Sequence, residues 1–174
     1  MAIGDFKTSL SLGQQIEDLA EDYFTTNNWD YVDVRGTTEY QKIDVDYILT
    51  RGDKQELWEV KLNYHDAKYK RPGEYIWIEL SYENQRGWWD YAEPDYFFFY
   101  NADLQKGVII KRDEAFIKYV NEQIADSNNI FDYPSDRRYN RIVKIKCLRL
   151  YIEDIPANIE MTKLIKRRKQ CSQL

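Results

Sequence analysis

Residues 43–62 read IDVDYILTRGDKQELWEVKL, and this stretch decides how the chain is expected to fold. Its polar middle, RGDKQ, is a turn signal, and the segments on both sides have the composition of β-strands, so we predict a β-hairpin. Side chains alternate along a strand, which places Glu59 and Lys61 on one face of the second strand. Asp44 and Asp46 share a face of the first strand. The hairpin therefore brings Asp46 close to Glu59.

Two carboxylates and an ammonium at one end of a sheet suggest a particular chemistry. Carboxylates this close repel each other unless a hard cation lies between them, and oxygen ligands with some retained water suit Mg²⁺. Lys61 is expected to steady a developing hydroxide or a phosphate. Asp44 has the same parity as Asp46 and is an alternative ligand, but Asp46 begins the more apolar stretch and is preferred. The competing interpretation makes Glu59 and Lys61 the solvated face of an edge strand.

Length and composition limit the classes of protein. The chain has 174 residues, 43% of them hydrophobic and 16% aromatic, which predicts one domain, 1–174, with a real core. Cys147 and Cys171 lie far apart without Cys-x-x-Cys spacing, which favours a reducing compartment. No apolar run has the length of a membrane span, and the start MAIGDFKTSL lacks the pattern of a secretory signal. We expect a cytoplasmic protein that does not enter a membrane.

The net charge of −5 conceals an asymmetry along the chain. Residues 1–136 carry 14 Lys or Arg and 27 Asp or Glu, whereas residues 137–174 carry 11 and 3. The block KLIKRRKQ, residues 163–170, is typical of a segment that contacts a phosphate backbone, although a solvated surface is its ordinary alternative. We predict a basic C-terminal helix or tail, with DNA as the partner.

Periodicity predicts an α/β (α+β) fold with a mixed central sheet flanked by helices. A capping box of Ser11 and Gln14 predicts a first helix over residues 12–26. The expected strands are WDYVDVRG, the two strands of the hairpin, EYIWIELSY, YFFFY, GVIIK and RIVKIKCLRLYI. YFFFY is aromatic on both faces, which indicates a central strand. A second amphipathic helix carries Phe116 and Val120, and residues after Pro156 are expected to form a terminal helix.

The hairpin also resembles a known family. Asp46, the strand DYILT and the run Glu59-Val60-Lys61 resemble the Asp…(Asp/Glu)-x-Lys signature of the PD-(D/E)XK nuclease superfamily, in particular its RecB-like and Holliday junction resolvase-like branches. The resemblance implies a restriction-endonuclease-like core: a helix, a three-stranded antiparallel meander, a second helix and further strands. It also implies a deoxyribonuclease that depends on Mg²⁺ and acts as an endonuclease. Mn²⁺ is expected to substitute for Mg²⁺. Val45 stands where the family has proline.

A second stretch is similar to phage-encoded nucleases of this superfamily. In KYKRPGEYIWIELSYENQRGWW, followed by DYFFFYN, a lysine and a glycine precede an IE strand and a GW follows it. The likeness suggests that the chain is phage-encoded. Many branches place a helix directly after the lysine strand, whereas here a loop and a strand come first. Assembly as a homodimer is a further hypothesis.

The resemblance implies roles for individual residues. Asp46, Glu59 and Lys61 are the expected catalytic residues, and Asp46, Glu59, the Val60 carbonyl and Glu17 on the first helix are the expected metal ligands. Glu79 is a further candidate ligand. The residues expected to contact nucleic acid are Lys68, Lys70, Arg71, Arg86, Trp88, Lys166, Arg167 and Arg168. Trp88 and Trp89 are expected to stack on an unpaired base unless they belong to the core. The alternative function is a non-catalytic module, binding or inhibitory, that keeps the nuclease fold.

Overall fold

The computed structural model describes residues 6–62, 75–83, 85–101, 106–134 and 144–165. The helices within these ranges are α1 (Phe6–Thr26), α2 (Thr38–Gln41) and α3 (Glu114–Ala125). The strands are β1 (Asp30–Asp33), β2 (Tyr47–Arg51), β3 (Lys54–Leu62), β4 (Tyr75–Tyr82), β5 (Gln85–Arg86), β6 (Tyr96–Asn101), β7 (Lys106–Lys111), β8 (Ile130–Pro134), β9 (Lys144–Tyr151) and β10 (Met161–Ile165). The fold is mixed α/β, with a mixed central sheet flanked by few helices.

The larger sheet contains six strands in the order β1-β2-β3-β6-β7-β10. Strands β1, β2 and β3 form the predicted antiparallel meander, β6 lies parallel to β3, and the remaining pairs are antiparallel. The predicted hairpin is confirmed, with Arg51 paired to Lys54 across a two-residue turn. Gly52 has φ +62° in that turn, a left-handed conformation that glycine adopts without steric cost.

A second, four-stranded antiparallel sheet has the order β5-β4-β9-β8. The strand predicted from EYIWIELSY is confirmed as β4, but it does not join the larger sheet. The described part of the connection from β3 to the parallel strand β6 therefore runs through the smaller sheet, and it contains no α-helix. The strands of the described residues thus form two sheets where the sequence suggested one.

Strand β6 lies between two hydrophobic cores, as its aromatic composition predicted. Phe98 packs with Phe24 of α1 on one face of the larger sheet. On the other face Phe97 packs in a core to which β4, β9 and α3 contribute, including Phe116. Helix α1 therefore covers one side of the sheet, while the smaller sheet and α3 cover the other.

The first and second of the three predicted helices are confirmed, but one boundary is wrong. Helix α1 begins at Phe6, so Ser11 lies inside the helix and not at its start. The residues before Ser11 include neither proline nor glycine back to Phe6, and nothing in them ends a helix. Helix α3 begins at Glu114, and the Asp113 carboxylate caps it by accepting a hydrogen bond of 3.0 Å from the Phe116 N–H.

The expectation of a terminal helix after Pro156 is wrong for the residues that are described. Met161–Ile165 forms the edge strand β10, whose residues pair with β7 from Lys106 to Ile110. Strand pairing supplies partners for its backbone groups, and the partner strand lies about 50 residues earlier in the chain, where local periodicity does not reveal it. Residues 166–174, which include most of the basic block, lie outside the described residues.

Candidate functional site

The acidic residues predicted from the hairpin lie together at one end of the larger sheet. Strand β2 begins at Tyr47, so Asp46 lies immediately before it, and Glu59 and Lys61 lie in β3. The last pair of the β2–β3 ladder joins Tyr47 to Trp58. Beyond this pair β3 continues without β2 beside it. Among the described strands, none pairs with residues 59–62 on that side; we call this side the open edge of β3, and Asp46 stands at its start.

The alternation of β3 separates its apolar and its charged residues as predicted. Trp58 faces α1 and packs against Phe24, whereas Glu59 and Lys61 face the opposite side of the sheet. In the parallel register Glu59 lies beside Phe97, and Lys61 lies beside Phe99. Glu59 is only 4% exposed, so the solvated edge-strand interpretation is wrong for this residue.

Lys61 joins the carboxylates of the site. Its ammonium nitrogen lies 2.5 Å from Glu59 Oε1 and 2.5 Å from Asp44 Oδ2. The same nitrogen lies 4.9 Å from the centroid of the Trp88 ring, a distance typical of a cation–π contact. Lys61 therefore has an aromatic ring beside it and acidic oxygens at two other positions.

Asp46 is fixed by the backbone of β3. Its Oδ2 accepts a hydrogen bond of 3.0 Å from the Val60 N–H, and its own N–H donates to the Trp58 carbonyl at 2.9 Å. The N–H and C=O of one strand residue point toward the same neighbouring strand. The Val60 carbonyl therefore faces the open edge, on the side of β3 where Asp46 lies.

Burial controls the electrostatics of the two carboxylates. Burial raises the pKa of Asp46, and the Val60 N–H and the Lys61 charge oppose this shift. Burial also raises the pKa of Glu59 well above its ordinary value, and the attraction of Lys61 only partly offsets it. Among the described residues Glu59 Oε2, which is buried, has no hydrogen-bond partner, and such a group calls for an explanation.

At Lys61 the attraction of neighbouring carboxylates outweighs the effect of burial. Burial disfavours its charged form, but the attraction of Glu59 and then of Asp44 outweighs that effect and raises the pKa of the ammonium above its ordinary value. Lys61 is therefore a cation at neutral pH, and three carboxylates surround or adjoin it.

Glu17 lies on α1 and forms an ion pair with Arg35. Arg35 also binds Asp33, with its Nη2 2.6 Å from Asp33 Oδ2, and its guanidinium lies 5.1 Å from the centroid of the Tyr47 ring. The hydrogen bond to Asp33 is the main cause that raises the pKa of Arg35. The predicted ligand Glu17 is thus engaged by an arginine on the α1 side of the sheet.

The aromatic residues near the site differ in exposure. Trp88 and Trp89 form a 3₁₀ turn with Asp90 and are 9% and 7% exposed, so they belong to the core, which was the alternative to base stacking. Tyr91 directly follows them and is 41% exposed. Burial raises the pKa of its hydroxyl, the Asp44 carboxylate raises it further, and the Lys61 charge opposes the rise.

The remaining predicted contacts are dispersed or lie outside the described residues. Arg86 is exposed in β5. Glu79 lies in β4 opposite Cys147, and its carboxylate raises the pKa of Tyr91 and Cys147. The residues outside the described ranges are Lys68, Lys70, Arg71, Lys166, Arg167 and Arg168.

The oxygen donors at this site suit a divalent cation whose coordination is completed from outside the protein. Among the residues that the structure describes, no three Asp, Glu, His or Cys side chains form a group placed to hold one ion. Mg²⁺ is commonly held by one or two carboxylates together with water and substrate phosphate oxygens. Asp46, the unpartnered Oε2 of Glu59 and the Val60 carbonyl are oxygen donors of this kind. The residues present therefore fit Mg²⁺ completed by water and phosphate.

Comparisons of the chain with protein-family models, with curated proteins and with solved structures found no match. In the described part of the chain no helix combines the length and the apolar character needed to cross a membrane.

Sequence reasoning missed two features of the site. It treated Asp44 only as a substitute metal ligand, because the left-handed backbone that turns this residue is not readable from strand parity. It also overlooked Tyr91, although the sequence GWWDY places a tyrosine just after the buried tryptophans and before the acidic, proline-containing run AEPD.

Proposed function

We propose that this chain is a metal-dependent nuclease that hydrolyses phosphodiester bonds in DNA. The observation that carries the proposal is the open edge of β3, where Asp46 and Glu59 lie with Lys61 beside them. Within the described ranges one oxygen of the buried Glu59 has no hydrogen-bond partner, an arrangement that costs free energy unless a ligand uses it. Buried groups with strongly raised pKa values and specific charged partners are typical of functional sites.

The order of elements supports a restriction-endonuclease-like core. Helix α1 precedes the antiparallel meander β1-β2-β3, and β6 then adds parallel to β3. Asp46 lies immediately before the second strand of this meander, and Glu59 and Lys61 lie in the third, an order similar to the one that the resemblance to PD-(D/E)XK nucleases implies. The smaller sheet is an addition to that core on the face opposite α1.

The residues that would hold Mg²⁺ or Mn²⁺ are Asp46, Glu59 and the Val60 carbonyl. When bound, such a cation lowers the pKa of a coordinated water and neutralises charge on the phosphate. Glu17, the further ligand that the resemblance implies, is paired with Arg35 on the α1 side of the sheet, whereas Glu59 faces the opposite side. Arg35 itself acts on Asp46, since its charge opposes the rise in the Asp46 pKa.

Lys61 supplies fixed positive charge on the face where the reaction would occur. Its ammonium is oriented by Glu59, Asp44 and the Trp88 ring, and it can donate hydrogen bonds to a phosphate oxygen or to the attacking water. Preorganised charge in a water-poor site stabilises a transition state more than the same charge in bulk water does. We assign Lys61 to orientation and charge stabilisation.

The function is tested by incubating the purified protein with Mg²⁺ and linear duplex, circular, single-stranded and four-way DNAs. We expect cleavage that depends on Mg²⁺ or Mn²⁺ and stops on addition of EDTA. Cleavage of circular DNA would identify an endonuclease. Binding of DNA without cleavage of any substrate would support the alternative, a non-catalytic module on the same fold.

The site is tested separately by calorimetry with Ca²⁺ and Mg²⁺. Asp46→Asn and Glu59→Gln preserve side-chain shape and remove charge, so both are expected to abolish measurable divalent-ion binding. Asp53→Asn, in the exposed β2–β3 turn, is the matched control and should bind as the wild type does. Equal ion binding by the wild type and all three variants would show that Asp46 and Glu59 do not hold the ion.

A further inference from the structure

Asp44 has an unusual backbone conformation next to the proposed site. Its φ is +52°, in the left-handed region that non-glycine residues rarely adopt, although aspartate tolerates it better than most. Residues held in this region are over-represented at functional sites. The left-handed turn breaks the strand parity that would otherwise determine the direction of the Asp44 side chain.

The surrounding backbone holds Asp44 in this conformation. The N–H of the next residue, Val45, donates to the Tyr40 carbonyl at 3.2 Å, and the Glu93 N–H donates to the Ile43 carbonyl at 2.8 Å. These bonds fix the chain on both sides of Asp44. The conformation is therefore imposed by the turn after α2 and by the segment that leads into β6.

The consequence of this backbone is an ion pair. Asp44 Oδ2 lies 2.5 Å from Lys61 Nζ, and the two side chains are 20% and 19% exposed. Lys61 has Glu59 as its other acidic partner at the same distance. The ammonium is thus held between one proposed metal ligand and one residue outside the preferred ligand set.

The two partners of Lys61 are not equivalent if Glu59 binds a cation. A divalent ion near Glu59 repels the Lys61 ammonium, since like charges a few ångströms apart in a buried site interact strongly. With Glu59 as its only partner, Lys61 would be displaced toward solvent. Asp44 offers Lys61 a second carboxylate, which is not among the ligands proposed for a cation bound by Asp46 and Glu59.

We propose that Asp44 is a positioning residue that retains the Lys61 ammonium in the site when Glu59 engages a divalent cation. This inference rests on the proposed function for its catalytic consequence, but its structural part does not require cleavage. It assigns Asp44 a role different from that of a substitute ligand. Asp44 acts through Lys61, and Asp46 and Glu59 bind the ion.

The structural part is tested by NMR detection of the Lys61 ammonium in ¹⁵N-lysine-labelled protein, assigned by its absence from Lys61→Met. An ammonium gives an observable signal when it is held in hydrogen bonds. We expect the wild-type signal to persist when Ca²⁺ is added, and the signal of Asp44→Asn to disappear on the same addition. Persistence of the signal in calcium-loaded Asp44→Asn would overturn the proposal.

Calorimetry distinguishes a positioning residue from a ligand. Asp44→Asn is expected to bind Ca²⁺ with a loss of affinity much smaller than that of Asp46→Asn. A loss as large as that of Asp46→Asn would make Asp44 a ligand and overturn the proposal. Asp44→Gly repeats both measurements in a variant whose backbone adopts positive φ freely, so a folding defect of the asparagine variant cannot obscure the result.

Kinetics test the catalytic consequence. In single-turnover cleavage we expect Asp44→Asn and Asp44→Gly to lower the rate about 30-fold or more, with DNA affinity unchanged within about twofold. In the Lys61→Met background, Asp44→Asn should have almost no further effect, because the two residues act as one unit. Fully additive losses would overturn the role through Lys61. Absence of wild-type cleavage, with the expected NMR result, would reject the proposed nuclease function and retain the ion-pair role.

Discussion

Lys61 combines burial, charge and two acidic partners, so its replacement should affect both chemistry and stability. Lys61→Met keeps most of the side-chain stem and removes the charge. We expect cleavage to slow about 100-fold or more, equivalent to about 2.7 kcal/mol of activation free energy. We also expect the free energy of unfolding to fall by about 3 kcal/mol, because Asp44 and Glu59 lose their counter-charge in a buried site.

Adding a divalent ion distinguishes a loss of stability caused by the missing Lys61 charge from one caused by a packing defect. Ca²⁺ brings positive charge to the same carboxylates, so it should raise the melting temperature of Lys61→Met more than that of the wild type. Lys118→Ala is the control, since Lys118 is exposed on α3 and its ammonium lies 3.9 Å from Glu122. Equal thermal shifts in the wild type and Lys61→Met would show that the ion does not bind beside Lys61.

At the residue scale, the sequence predicts which face of a strand a residue lies on better than it predicts the contacts of its side chain. Glu59 and Lys61 are placed by strand alternation, which is a local property of about six residues, whereas Asp46 precedes β2 and is held by hydrogen bonds to β3. The ion pair of Asp44 with Lys61 depends on the positive φ of Asp44. That conformation is imposed by the hydrogen bonds from the Val45 N–H to the Tyr40 carbonyl and from the Glu93 N–H to the Ile43 carbonyl, and no local pattern encodes it. The burial of Trp88 likewise depends on residues from other strands.

Gly87 is the element-scale link between the smaller sheet and the site. A Cβ placed on Gly87 would overlap the carbonyl oxygen of Glu79, at a distance that real side chains do not reach. Gly87 directly precedes Trp88, whose ring contacts Lys61. The close approach of backbone to backbone therefore fixes where Trp88 enters the core.

Gly87→Ala is expected to destabilise the protein by about 1–3 kcal/mol, because the backbone at Glu79 and Gly87 must separate. It should also slow cleavage by displacing Trp88 from Lys61. Urea unfolding measures the first effect, and single-turnover rates measure the second. Gly36→Ala is the control, with nothing within 4 Å of the added Cβ. Unchanged stability in Gly87→Ala would contradict this close approach.

Cys147 provides a pH-dependent test of the β4–β9 pairing. Burial, with a smaller effect of Glu79, raises the pKa of its thiol to about 12, against 9.0 for an ordinary cysteine. In a Cys171→Ser background we expect iodoacetamide at pH 8 to alkylate Cys147 only after unfolding. Alkylation of the native protein at the rate of a free thiol would contradict the burial of Cys147.

The same shift has a defined sign in stability. The unfolded thiol ionises near its ordinary pKa of 9.0, whereas the folded thiol stays neutral until about pH 12. The contribution of Cys147 to the free energy of unfolding is therefore complete below pH 9 and is lost as pH rises from 9 toward 12. Cys147→Ala should flatten this alkaline decline, measured by urea unfolding at each pH.

At the element scale local patterns identified most strands but not their partners. The hairpin was predictable because β2 and β3 adjoin in the sequence. The smaller sheet was not, because β4 and β9 lie about 70 residues apart and both read as ordinary strands. Strand β10 was mistaken for a helix because Lys163 interrupts its apolar pattern, as charged residues often do on edge strands.

At the scale of the whole molecule, β10 ends at Ile165, within the basic C-terminal block, and the rest of the block lies outside the described residues. Truncation after Ile165 leaves the β7–β10 pairing intact and removes Lys166, Arg167 and Arg168. We expect the truncated protein to keep its melting temperature. Its DNA affinity should fall and depend less on salt, with the slope decreasing by about 0.9 for each phosphate that the block no longer neutralises. An unchanged dependence of DNA affinity on salt, measured by titration at several salt concentrations, would show that the block does not contact DNA.

A second truncation, after Thr162, is the structural contrast. It removes three of the five residues of β10, including Leu164, which packs against the core beneath α1. We expect a clear loss of stability in addition to the loss of DNA affinity. Equal melting temperatures for the two truncated proteins would contradict the β7–β10 pairing.

The position of β6 between both cores has a consequence for the order in which the molecule opens. Its backbone is bonded to β3 on one side and to β7 on the other, and its side chains enter two cores that lie on opposite faces. No local fluctuation can free these amides without breaking both cores at once. Amide hydrogens of Phe97, Phe98 and Phe99 should therefore exchange with deuterium only through global unfolding, and their protection should report the full stability of the chain.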